Sequence, residues 1–168
     1  MSEFIVNAAQ MFNFFFQNLR CEVITREIYD REITYVAGIL GRHALMSRSN
    51  QSWVMPADSL SDVFDNFVLT EFSETGAVGL QDPEILELAG SQVLLFVGFF
   101  RDQMSRRHNL AYYDGLGVTF FGRASERTKE SEKSVLLRRV AGNFPMWTIA
   151  CCNMSRRFRE GRYVLKMD

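Results

Sequence analysis

The stretch LLFVGFFRDQMSRRHNLAYYDGLG, residues 94 to 117, decides how the rest of the chain is read. Leu94 to Phe100 is apolar or glycine without a break, and it runs into two arginines, a histidine and a pair of tyrosines. Such a segment can be a membrane anchor, a catalytic cleft, or a core helix with its solvent end. The apolar tract around it, Ile85 to Phe100, contains Glu87 and Gln92 and is shorter than the roughly 20 residues a spanning helix requires. No membrane span is therefore expected. Polar positions recur at Glu84, Glu87 and Ser91, vanish at Leu95 and Gly98, and return at Asp102, a helical stripe whose middle turns must be covered on nearly all sides. The segment reads as the buried central helix of an all-α protein, near residues 83–105.

Working outward, 168 residues with 47% apolar side chains, 15 Phe and only 3 Pro describe a packed globule able to bury its own core without disulfide or metal. One domain over residues 1–168 is expected, a helical bundle of about six helices. At the N-terminus, MSEFIVNAAQMFNFFFQNLR carries an acid where a secretory leader would be basic. It reads instead as a first helix, about residues 3–19, capped by Ser2, with Phe4, Ala8, Met11, Phe15 and Leu19 on one face. Asp30 is a candidate cap for a second helix through Ile33, Tyr35, Val36, Ile39 and Leu40, although CEVITREI before it could join the two. The stretch SRSNQSWVMPADS reads as a loop, and a third helix follows Pro56 with Leu60, Val63, Phe64, Phe67 and Val68. A second loop, SETGAVGLQD, ends in Asp82 and Pro83, the cap and first-position proline that start the central helix.

Beyond it, a helix starts after Asn109. Ala111, Gly115, Thr119 and Gly122 make one narrow small-residue face, and Tyr112, Leu116 and Phe120 an apolar face beside it. Glycines weaken a helix unless close packing compensates, so the small face predicts a helix crossing there at short range; the alternative is a turn at Asp114 and Gly115. After the charged ERTKESEK, Val135, Leu136, Val140 and Phe144 form the next stripe. Pro145 then kinks or restarts the helix with Asn143 as cap, and Trp147, Ala150, Cys151, Met154 and Phe158 continue it.

Charge is unevenly spread. Residues 1–48 are balanced, residues 49–100 carry eight acids and no base, and residues 101–168 carry fourteen bases against seven acids. Arginines suit phosphate recognition, but no run of consecutive like charges singles out such a surface. Arg156, Arg157, Arg159 and Arg162 also fit the negative end of a last helix, and nucleic acid is not the expected partner. An odd number of cysteines, Cys21, Cys151 and Cys152, points to reduced thiols and a cytoplasmic location.

Chemical motifs are scarce. With only His43 and His108, no Cys-x-x-Cys and no acidic calcium loop, neither metal nor cofactor is expected. Gly115, Gly117 and Gly122 do not match the dinucleotide fingerprint. The one cluster with chemical potential is Arg106, Arg107, His108, Tyr112, Tyr113 and Asp114, a candidate polar or anion site in which histidine could move protons and arginines could hold a carboxylate or phosphate. The same residues are ordinary where a helix leaves the core for solvent. Asn7, Gln10, Phe14 and Gln17 form an uncharged face on the first helix and a candidate protein interface.

In LAGSQVLLFVGFF, YYDGLG and LLRRVAGNFPMW, through Gly90, Leu94, Phe99, Phe100, Arg107, Tyr112, Tyr113, Gly117 and Phe144, the chain resembles an uncharacterised bacterial family of small all-helical proteins of unknown function. The resemblance spans about residues 30–158 and implies an all-helical fold. It departs at Ser91, where the family often has an acid, and it supplies no activity or cofactor. The expected role is thus a non-catalytic interaction or homo-oligomeric protein, a dimer in the first instance. The alternatives are a regulatory protein holding a small apolar or aromatic ligand between Phe-rich helices, and an enzyme using the Arg106–Asp114 cluster.

Overall fold

In a computed structural model of the chain, which describes residues 7–49 and 82–160, the Asp82 carboxylate accepts a hydrogen bond from the Glu84 backbone at 2.9 Å and Pro83 takes the first helical position. The helix starts where cap and proline predict. All regular structure among the described residues is helical, with no strand. In chain order the helices are α1 (Ala8–Glu22), α2 (Asp30–Ser49), α3 (Pro83–Leu94), α4 (Arg101–Met104), α5 (Leu110–Arg127), α6 (Ser131–Gly142) and α7 (Phe144–Glu160), with a π turn at Leu95–Phe99. The Ser2 cap, Phe4, the helix after Pro56, nearly all of both predicted loops, and Arg162 lie outside the described residues.

The chain gathers into two compact units, Met1–Met55 and Pro56–Asp168. In the first, α1 packs along α2, and Gly41 brings the α2 backbone close to that of Phe12. The predicted stripe is buried at Met11, Phe15 and Leu19, whereas Ala8 is exposed. α1 and α2 are separate: residues 23–29 turn, and the Tyr29 carbonyl accepts from Glu32 and Ile33, so Asp30 is the first residue of α2 rather than its cap. An acid there still meets the positive end of the helix.

In the second unit α5 returns antiparallel along α3. Gly90 of α3 faces the Phe121 ring, and Arg101, past the π turn, pairs with Asp114 near the start of α5. The α5–α6 corner is clasped by two reciprocal bonds: the Ser125 hydroxyl donates to the Ser134 carbonyl at 2.8 Å, and the Ser134 hydroxyl to the Ser125 carbonyl at 2.7 Å. Lys133 of α6 reaches back to Glu87 of α3 at 2.9 Å. After Asn143 the chain restarts as α7, with the fully buried Phe144 ring against Gly117 and Phe121. α7 then runs past the π turn.

The π turn explains why seven apolar residues could not be assigned one buried stripe. The Phe100 N–H reaches the Leu95 carbonyl at 2.9 Å, an i to i+5 bond, and the helix breaks at Phe100 before α4. Gly98 has no side chain where α7 passes: a Cβ there would lie 3.0 Å from the Cβ of Cys151 and 3.5 Å from the Thr148 backbone. The predicted central helix thus runs as α3, the π turn and α4, with Leu95 and Gly98 buried where the polar stripe vanishes; Ser91, expected on the polar side, is buried as well with its hydroxyl donating to the Glu87 carbonyl at 2.8 Å, and Leu88 is exposed.

Two expectations on packing are overturned. Ala111, Gly115 and Thr119 are exposed, and among the described residues a Cβ at Gly115 or Gly122 would meet nothing within 4 Å. The close approaches fall instead at Gly90, Gly98 and Gly117, on the faces where Phe121, Cys151 and Phe144 arrive. α5 is continuous through Asp114 and Gly115, so no turn forms there. On α6 the buried residues are Leu137, Val140 and Ala141; Val135 is exposed and Leu136 half-buried, because the crossing with α5 selects the third of three consecutive apolar residues. On α7 the predicted face is buried at Trp147, Ala150, Cys151 and Met154, and Cys152 joins it.

Candidate functional site

The predicted cluster sits at the corner between α4 and α5. Asn109 and Leu110 begin α5, and Arg106 and Arg107 stand exposed on the preceding turn, whose backbone is held by the Arg107 and His108 N–H groups donating to the Met104 carbonyl at 3.1 Å. His108, Tyr113 and Tyr112 form a run of edge-on rings, with centroids 6.0 Å and 5.3 Å apart. Burial, and then the neighbouring Tyr112, raise the Tyr113 phenol above its ordinary value. Asp114 turns to the other side and pairs with the Arg101 guanidinium, at 3.3 Å and 3.4 Å. Arg101 also donates to the Val97 carbonyl at 2.8 Å, so it ties the π turn to α5.

Of the six residues, then, three share an aromatic run, one belongs to a salt bridge with a residue the sequence did not single out, and two are exposed cations. A proton relay needs a base oriented by a hydrogen-bonded third group. Here His108 packs its ring edge-on to Tyr113, and the nearby carboxylate is engaged by Arg101.

A stronger electrostatic centre lies one turn away and joins parts of the chain far apart in sequence. Arg156 of α7 grips Asp102 of α4 with both prongs of its guanidinium, Nε to Oδ2 at 2.9 Å and Nη2 to Oδ1 at 2.7 Å, and Arg159 adds a third bond to Oδ2. These bonds, from Arg156 first and Arg159 second, hold the Asp102 carboxyl well below the usual carboxylate range. Two arginines on one acid leave the site net positive, yet half-exposed, so its worth to stability is modest. Because the folded-state value is depressed, the stabilisation is fully present above the unfolded carboxylate value of about 4 and is lost as pH falls through the folded value. Asp102→Asn is accordingly expected to lower the melting temperature slightly at pH 7, with a gap to the wild-type protein that stays constant down to about pH 5 and narrows below about pH 4. Thermal melts across that range check it, and a gap that widens in acid would contradict the assignment.

Cys152 lies close to this centre. Burial pushes its thiol up, against the pull of Arg156, so it is kept as a neutral thiol and is poorly suited to nucleophilic work. In the first unit, burial lowers His43. Among the described residues no three of His, Cys, Asp and Glu gather as metal ligands.

The candidate interface on α1 is partly absorbed by the helix itself. The Asn7 side chain accepts from the Gln10 backbone at 2.8 Å and the Gln10 side chain accepts from the Asn7 backbone at 3.0 Å, a capping box. Helix initiation accounts for these two amides. Phe14 is half-buried with its ring edge-on to Phe15 at 5.4 Å, and Gln17 is exposed.

No helix among the described residues is long and apolar enough to cross a membrane. Comparison with family models, curated proteins and solved structures finds no match to this chain.

Proposed function

We propose that the protein acts without catalysis, through protein–protein contact, and first of all with a second copy of itself. The observation that carries this reading is the outer face of α5. A solvent-facing side of a helix ordinarily bears charge, yet from Ala111 through Gly115, Val118 and Thr119 to Gly122 this one bears none. Tyr112 beside it is 44% exposed and Val118 is 37% exposed. The one hydroxyl on the face donates to the helix's own backbone, Thr119 to the Gly115 carbonyl at 2.9 Å. Small side chains and an aromatic, with no ion among them before Arg123, suit docking against another protein surface.

The engagement of Asp114 by Arg101 favours the same reading over an enzyme built on the α4–α5 corner. Three free cysteines, two of them buried, fit a protein kept in a reducing cytoplasm. Light scattering coupled to gel filtration, from low to high micromolar concentration, tests the reading. A mass that rises to twice that of the 19.4 kDa chain is expected. A mass that remains that of one chain throughout would overturn self-association.

A further inference from the structure

We draw no further inference here: the strongest candidate, the corner between α4 and α5 where the exposed Arg106 and Arg107 precede an N-terminus of α5 that the Asn109 side chain does not cap, is a helix N-terminus beside surface cations, with no second observation among the described residues to say what anion would occupy it.

Discussion

Gly117→Leu is expected to destabilise the second unit by on the order of 1–3 kcal/mol or more, while the same change two residues earlier, Gly115→Leu, is expected to be neutral or stabilising by up to about 1 kcal/mol. Both glycines lie inside α5, so any helical residue would be preferred at either on propensity alone. What separates them is the far side of the Cβ. At Gly117 it would fall within the Phe144 ring, which is fully buried and also packed against Phe121 at 6.0 Å, so the ring has nowhere to retreat. At Gly115 it would meet nothing within 4 Å among the described residues. Chemical denaturation of both variants, at concentrations low enough to keep the chain monomeric, decides the matter. Equal loss at the two positions would mean that α5 is rotated from the orientation described.

Phe144→Ala is the second large effect, a loss of about 3–5 kcal/mol from emptying a fully buried aromatic site. The informative measurement is the double variant. The cavity left by the ring lies where the leucine at position 117 would go, so Gly117→Leu should cost far less in the Phe144→Ala background, with a coupling of about 0.5–3 kcal/mol. Additive losses would show that the two positions do not share one site.

Much of this fold could be read from the chain itself, because caps and periodicity are local. Asp82 and Pro83 started α3, Asn109 preceded α5, and the buried residues of α7 followed the predicted 3.6-residue spacing. The errors have a shared physical origin. Glycines at 115, 117 and 122 announce that a side chain is missing but not which side of the helix the neighbour approaches, and only the position of Phe144 answers that. In Val135, Leu136 and Leu137, three adjacent apolar residues permit three rotations of α6, and the crossing with α5 chooses one. At the candidate site the nearness of His108, Tyr112 and Tyr113 is local and follows from their spacing, but their packing as a run of rings does not. Asp102 with Arg156 and Arg159 was not legible, because each is an ordinary surface ion until the fold closes the long interval between them.

The π turn between Leu95 and Phe99 sets the phase of everything after it. A turn closed by an i to i+5 bond holds one residue more than an α turn, and one residue of helix corresponds to a rotation of about 100°. Upstream, Gly90 and its neighbours are angled for α5; downstream, Arg101 and Asp102 are angled for Asp114 and for the arginines of α7. Closing the run as a regular α-helix at unchanged length would swing Asp102 by about 100° away from Arg156, whereas deleting a single residue from it would let a regular turn close with Asp102 still facing Arg156. The run therefore works as a phase compensator, its π turn absorbing one residue so that the helix on either side keeps its direction, and natural relatives would be expected to carry either the π turn or a run one residue shorter closed as a regular turn, with a small residue kept where α7 passes Gly98.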